Sequence, residues 1–180
     1  MINDIQEALD EKFSHSAGLR AGGVFKIEQV RDGEVIASEV VPNIVLDSGL
    51  NYLLDAALSN GSQITNFYIS LYRNNYTAGG TTTFANFLVS AGEISTQFAE
   101  VARQAWGDNA VASMVISNAT PVAFNATENT SVWGAFIVGN DATFGSSTGT
   151  LIAASKFPAL RSLLNGDILN ITYSFSIADA

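Results

Sequence analysis

The residues best suited to catalysis are few and widely separated. A single histidine, His15, stands in the N-terminal segment, and cysteine is absent. A Ser-His-acid arrangement would have to recruit its base from that segment, and thiol catalysis and thiolate metal sites are excluded. Residues 145–149 (Gly-Ser-Ser-Thr-Gly) match the G-x-S-x-G pattern. A strand-like sequence follows them where a nucleophile elbow needs a helix, so we interpret this run as a hairpin loop.

Carboxylates are the next candidates for chemistry. Glu93 and Glu100 have the residue type used in glycoside hydrolysis, but we expect Glu93 in a turn and Glu100 on the exposed face of a strand. Asn140, Asp141 and Asp167 offer turn oxygens, yet no loop has the density of acidic residues that a calcium site requires. Phosphate-binding Gly-Lys and dinucleotide motifs do not occur. The sequence predicts no enzyme, no metal site and no cofactor.

Aromatic side chains offer a different chemistry, stacking on sugar rings. The residues concerned are Trp106, Trp133, Tyr68, Tyr72 and Tyr76. Large aromatic side chains also complete the cores of β-sandwiches, and Trp133 lies in the apolar run 131–138, which is typical of a buried strand. A core role is favoured, with a carbohydrate-binding or adhesin module as the alternative.

Composition restricts the class of protein that could position these residues. The chain has 180 residues, enough for one domain with a substantial core, and only 14% are charged, against about 25% in an ordinary domain. Its 8 basic and 17 acidic residues give a net charge of −9, the wrong sign for holding a nucleic-acid backbone. No apolar run of membrane-spanning length occurs, and the acidic start is unlike a signal peptide.

Residues 1–20 differ from the rest and are predicted to form a helical arm. Ile2, Ile5, Leu9 and Phe13 recur at three- and four-residue steps with acidic residues between them, the pattern of an amphipathic helix. The apolar stripe of such a helix must lie against something. Two alternatives follow: the helix docks on its own domain, or it is an arm that grips a neighbouring subunit.

Residues 21–180 are predicted to form one all-β domain. Two strands around Asp32 and Gly33 predict a hairpin, and residues 46–58 predict the one internal helix. Loops are expected at 78–83 and 139–149, and further strands at 66–73, 97–104, 111–117, 122–126, 131–138, 150–157 and 168–177. About nine strands with one or two helices favour an antiparallel β-sandwich, jelly-roll-like or of Greek-key type, over a parallel fold.

Five stretches of the domain occur in an order and spacing that resemble a known family. They are residues 42–55 (Pro-Asn-Ile-Val-Leu-Asp-Ser-Gly-Leu-Asn-Tyr-Leu-Leu-Asp), 67–72, 102–106 (Ala-Arg-Gln-Ala-Trp), 132–137 and 165–169 (Asn-Gly-Asp-Ile-Leu). Together they resemble the capsid decoration, or cement, proteins of tailed bacteriophages. The similarity covers residues 40–177, so the arm lies outside it.

The resemblance implies a structural role on the virion. Proteins of this family look like jelly-roll or related sandwich modules that oligomerise on the outside of an expanded head and bridge neighbouring major capsid proteins. The expected partners are the major capsid protein and further copies of the chain, as a dimer or trimer, with no direct nucleic-acid or membrane binding. The expected location is the outer surface of the capsid. Another virion component, such as a tail or fibre-base sandwich, is the alternative.

The contact residues have to be inferred from residue type. The apolar stripe of Ile2, Ile5, Leu9 and Phe13 is the expected contact of the arm with a neighbour. A second set combines polar and aromatic character at a strand end, as interfaces favour, and is expected to form an exposed rim: Tyr72, Arg73, Asn74 and Tyr76.

Overall fold

Two antiparallel β-sheets and two helices make up the computed structural model, which describes residues 19–179. The elements in chain order are β1 (Leu19–Arg31), β2 (Glu34–Pro42), β3 (Ile44–Val45), α1 (Asp47–Leu58), β4 (Phe67–Tyr72), α2 (Phe84–Ala91), β5 (Gln104–Ala105), β6 (Val115–Ser117), β7 (Val122–Asn125), β8 (Thr130–Gly139), β9 (Thr150–Leu163) and β10 (Ile168–Asp179). The predicted all-β sandwich is confirmed. Neither helix has the length and apolar character needed to cross a bilayer.

The first sheet, sheet A, runs in the order β2-β1-β10-β6, with β7 also pairing with β10. Strand β1 ends at the tight turn formed by Asp32 and Gly33, both at positive φ, and pairs with β10 from Leu19–Asp179 to Val30–Ile168. Its side chains alternate: Phe25 and Ile27 are buried against the other sheet, whereas those between them are partly or fully exposed. Sheet A therefore has one core face and one outer face.

The second sheet, sheet B, runs in the order β3-β9-β8-β4-β5 and is covered on both faces. In β8, Ala135 and Ile137 join the core between the sheets, and Phe136 and Val138 join a second apolar cluster on the opposite face. This double burial explains the unbroken apolar run in β8, because both parities of the strand face apolar neighbours. Helix α2 contributes to the second cluster.

Helix α1 lies very close to β9. The hydroxyl of Ser48 donates to the Leu151 carbonyl at 2.5 Å, and the Leu46 amide donates to the Ile152 carbonyl at 3.0 Å. Gly49 is buried at this contact, and a Cβ atom there would lie 2.5 Å from the Ile152 oxygen. The sequence prediction of a helix over 46–58 is confirmed.

Two predicted strands differ from the structure. Within 97–104 only Gln104 is part of a strand, because the Arg103 amide donates to the Ala142 carbonyl and ties the segment to a loop. Within 111–117 only Val115–Ser117 form a strand, because Ser113 and Met114 adopt positive φ in a tight turn.

Helix α2 was not among the predicted elements. Its sequence signal is nevertheless present: the Thr83 hydroxyl accepts from the Asn86 amide as an N-cap, and Phe84, Phe87 and Ala91 lie on one buried face. The helix was missed because it directly follows a run rich in Gly and Thr, which is typical of a loop, and because eight residues are too few to show a clear helical periodicity.

Candidate interaction surfaces

A buried ion cluster surrounds Arg103. Its guanidinium, with no exposed surface, donates to the Glu93 carboxylate at 2.7 and 3.0 Å and lies 3.1 Å from Asp141 Oδ2. The same group stands 5.0 Å from the centre of the Phe84 ring, and the Gly145 amide also donates to Glu93. The cluster therefore connects the end of α2 to the loop between β8 and β9.

The protonation state of Asp141 supports a structural role for this cluster. Burial alone would raise the pKa of Asp141, but hydrogen bonds from the Ser146 side chain and the Thr143 amide, with the charge of Arg103, lower it below the ordinary value. These contacts favour the ionised form of Asp141, which pairs with the Arg103 guanidinium. Glu93 likewise serves an internal ion pair.

Asp167 is the second buried carboxylate. The Arg31 guanidinium donates to both of its oxygens at 2.8 Å, Gln29 Nε2 donates at 2.9 Å, and the Leu164 amide donates at 2.9 Å. The Arg31 hydrogen bonds are the main reason that the pKa of Asp167 lies well below its ordinary value. These contacts join β1 to the turn between β9 and β10. Among residues 19–179, no three His, Cys, Asp or Glu side chains are grouped to hold a metal ion.

The other residues considered for catalysis are the G-x-S-x-G run, Glu100 and His15. Residues 145–149 lie in the connection between the antiparallel strands β8 and β9, which confirms the hairpin-loop interpretation of the G-x-S-x-G pattern. Glu100 lies in an irregular segment, not on a strand as predicted, and accepts hydrogen bonds from the backbone and side chain of Asn125. His15 lies outside the described residues.

The two tryptophans occupy different environments. Trp106 is buried between the sheets, where its Nε1 donates to the Tyr173 carbonyl at 3.2 Å and its ring packs edge-on against Phe67. Trp133 is only half-buried, on the α2 side of sheet B, with Lys156 Nζ 5.8 Å from the ring centre. The core role favoured for the tryptophans is thus found for Trp106, which is 8% exposed, whereas Trp133 packs against the second apolar cluster with part of its surface exposed.

The predicted exposed rim is corrected at Tyr72. This side chain is 1% exposed and packs edge-on against Phe87 of α2, because sheet B is covered on the face to which it points. Tyr76 is half-buried against the same ring. Arg73 and Asn74 are exposed as predicted, just beyond the end of β4.

Arg73 and Asn74 line a polar cleft of about 390 Å³ with Gln97, Glu128 and Asn129. Arg73 Nη2 donates to Gln97 Oε1 at 2.9 Å, and Asn74 Nδ2 donates to the Ser90 carbonyl at 2.9 Å. Both side chains are thus held in place by the fold. The other predicted contact residues, Ile2, Ile5, Leu9 and Phe13, lie outside the described residues.

An apolar surface that the sequence analysis missed lies along the margin of sheet A. Within the described chain, β2 pairs with β1 on one side and with no strand on the other. Val35, Ile36 and Val40 of β2 are 57%, 49% and 60% exposed. Val24 of β1 is 37% exposed and is paired with Pro42, two residues along β2 from Val40. We call these four residues the edge stripe. In the sequence, apolar residues occur at both odd and even positions of β2, whereas a strand with one buried face needs them only at every second position.

A second apolar surface lies at the other margin of sheet A, where β6 and β10 meet. It is a groove of about 310 Å³ lined by Val111, Met114, Val115, Ile116, Phe175 and Ile177. We call it the mouth groove, because it opens beside the gap between the two sheets. The tight turn at Ser113 and Met114 brings Val111 and Met114 to its rim.

Comparison of the chain with models of known protein families finds none that matches, and comparison with curated proteins finds no match either. The edge stripe, the mouth groove and the polar cleft are therefore the observations from which a function has to be inferred.

Proposed function

We propose that the chain is a structural virion protein, a capsid decoration protein of a tailed bacteriophage. In this proposal it binds the outside of the head as a homo-oligomer and bridges neighbouring major capsid proteins. The observation that carries the proposal is the edge stripe, whose valine and isoleucine side chains are exposed on an ordered sheet margin. Clustered exposed apolar side chains are typical of surfaces that become buried against another protein.

The resemblance of residues 40–177 to decoration proteins supplies the identity of the partner. A jelly-roll relationship is part of the same proposal, since a two-sheet sandwich is compatible with it. Within residues 19–179 no strand pairs with the outer edge of β2, so a strand of a capsid protein can bind there by hydrogen bonds to the backbone and by burial of the neighbouring apolar side chains.

The proposed mechanism is stabilisation by binding. A ligand that binds only one state of a protein stabilises that state by an amount that grows with its concentration over the dissociation constant. If the site for this chain exists only in the expanded head, each bound copy favours expansion, and many repeated sites add their contributions. No bond is made or broken in this function.

A pair of charged substitutions tests the proposal. Purified heads without the chain are incubated with wild-type protein or with the Ile36→Lys/Val40→Lys variant, and bound copies are counted against the major capsid protein. We expect wild type to reach one copy per capsid protein or a simple fraction of it. Since a buried aliphatic side chain contributes about 1.5–3 kcal/mol, the variant is expected to bind at least tenfold more weakly.

The matched control carries the same substitutions elsewhere. Val89→Lys/Val101→Lys changes two side chains that are 84% and 92% exposed and lie outside the edge stripe, so binding should remain at the wild-type level. A stoichiometry tens of times lower than one would assign the chain to a tail or a single vertex. Failure to bind heads, with absence from purified virions, would overturn the proposal and favour a carbohydrate-binding module.

A further inference from the structure

The mouth groove is open because of the residues that face it from β1. On the core face of sheet A, Ile177 is paired with Ala21, and Phe175 is paired with Gly23. Farther along the same face, Tyr173 is paired with Phe25, and both are buried. Ala21 and Gly23 are too small to cover the apolar side chains opposite them, so Phe175 and Ile177 remain partly exposed.

The groove adjoins an apolar cavity between the sheets. This cavity of about 210 Å³ shares Ile116 and Phe175 with the groove and is also lined by Trp106 and Tyr173. Helix α1 lines it through Tyr52 and Leu53. Apolar surface therefore extends from the margin of sheet A towards the centre of the sandwich.

The described chain begins near the mouth groove. Leu19 is paired with Asp179, two residues beyond the pair of Ala21 with Ile177. Residues 1–18 precede it, and their sequence carries the apolar stripe of Ile2, Ile5, Leu9 and Phe13. The sequence with the apolar stripe is thus joined to the domain close to the partly exposed Ile177.

We propose that residues 2–13 dock in the mouth groove of their own chain, with the apolar stripe facing Met114, Phe175 and Ile177. This inference does not depend on the proposed function, because it concerns the isolated protein. It assigns the amphipathic segment the role of closing the sandwich, which leaves the edge stripe as the apolar surface available to partners.

The segment is long enough to cover the groove. A helix over residues 2–13 is about 18 Å long, whereas Phe175 and Ile177, the residues of β10 that line the groove, are about 7 Å apart along the strand. Residues 14–18 can bridge roughly 20 Å when extended. The groove lies one to two strands from β1, or about 5–10 Å, so the connection is long enough for the segment to fold back.

The same connection favours the chain's own groove over that of a second copy. A short tether that spans the distance gives an effective local concentration in the millimolar range. A second copy in dilute solution would have to compete against that concentration for an identical groove. The acidic residues of the segment, Asp4, Glu7, Asp10 and Glu11, would then face solvent.

Engineered cysteine pairs in the full-length chain test the inference. Because the protein has no cysteine of its own, only the two introduced residues can form a disulfide. In Leu9→Cys/Met114→Cys, mild oxidation is expected to give an intrachain disulfide in most molecules, independent of protein concentration. In the control Leu9→Cys/Val89→Cys, the second cysteine lies on α2 away from the groove, and the intrachain product should be at least tenfold less abundant. Non-reducing electrophoresis and peptide mass spectrometry give the yields.

Two outcomes overturn the inference. A disulfide between two chains as the main product of Leu9→Cys/Met114→Cys would show exchange of the segment between copies. Equal yields in the test and control variants would show that the segment has no preferred site. As a second measurement, Phe13→Asp is made in the full-length chain with Trp133→Phe, so that Trp106 is the one tryptophan left. It should shift the tryptophan fluorescence to longer wavelength and raise the binding of an apolar dye several-fold. The control Lys12→Asp, at the neighbouring position in the sequence, should change neither.

Discussion

Single buried charges connect segments that are distant in sequence. Arg103 joins α2 to the loop between β8 and β9, and Asp167 joins β1 to the turn between β9 and β10. Breaking a buried ion pair by removing one partner leaves the other charge uncompensated, which is strongly destabilising. Glu93, Asp141 and Asp167, which the sequence analysis considered as a catalytic carboxylate and as calcium ligands, therefore take part in ion pairs that connect segments of the fold.

Asp167→Asn is expected to lower stability at pH 7 and to weaken the dependence of stability on acid. The folded-state pKa of Asp167 lies below its value in the unfolded chain, so ionisation stabilises the folded state above about pH 4. That contribution is lost as the pH falls below about 4. Urea unfolding of wild type at pH 7, 5 and 3 should show the loss, and the variant should show less of it.

The control for this measurement is Asp32→Asn, which changes an exposed carboxylate in the neighbouring turn at a positive φ that asparagine also adopts. It should keep the acid dependence of wild type. Equal slopes of stability against pH for wild type and Asp167→Asn would show that the ion pair does not contribute.

At the scale of elements, the packing of helix α1 against β9 depends on Gly49, which has no side chain. Its backbone approaches β9 at Gly49, and the neighbouring Ser48 hydroxyl donates to the Leu151 carbonyl. This contact holds α1 against β9, where Tyr52 and Leu53 of the helix line the apolar cavity between the sheets. The absence of a side chain at Gly49 thus sets how closely the helix approaches the sheet.

Gly49→Ala is expected to destabilise the protein by about 1–3 kcal/mol, the usual cost of overpacking. The new Cβ would meet the backbone oxygen of Ile152, which cannot move without displacing β9. Alanine is otherwise the better helix former by about 1 kcal/mol, so an unchanged or higher free energy of unfolding would contradict the close contact. Gly22→Ala, where a Cβ meets nothing within 4 Å, is the matched control.

Elements with complete local signals could be predicted from the sequence. The hairpin at Asp32 and Gly33 and the helix ending at Leu58 have turn and periodicity signals that need no tertiary context. The burial of Tyr72 and the irregular path of 97–104 depend on the second apolar cluster and on Arg103, which form only when distant segments meet. The apolar residues at both odd and even positions of β2 are visible in the sequence. That β2 is an edge strand is visible only in the order of the strands in sheet A.

At the scale of the whole molecule, charge opposes association and apolar surface favours it. Every copy carries a net charge of −9, so copies repel one another at low ionic strength. The exposed valine and isoleucine side chains of the edge stripe provide an attraction that salt does not screen. The balance between these two terms sets whether the protein is an oligomer in solution.

Raising the salt concentration is therefore expected to strengthen self-association. The screening length falls from about 30 Å at 0.01 M to about 3 Å at 1 M ionic strength, which removes the repulsion between copies and leaves apolar burial unchanged or stronger. Sedimentation velocity of the full-length chain at 0.01 M and 0.5 M sodium chloride measures the shift. Weaker association at high salt would contradict this expectation and indicate an interface held by ion pairs.

The burial of sheet B on both faces also determines the order in which the protein loses its structure. Strands β4, β8 and β9 lie between two apolar clusters, whereas β2, within residues 19–179, pairs with β1 alone and has one buried residue, Val41. Local opening starts where the fewest buried contacts are lost. Fluctuations of the native state therefore begin at the margins of sheet A and reach the centre last, so a partner that binds along β2 would restrain the segment that opens first.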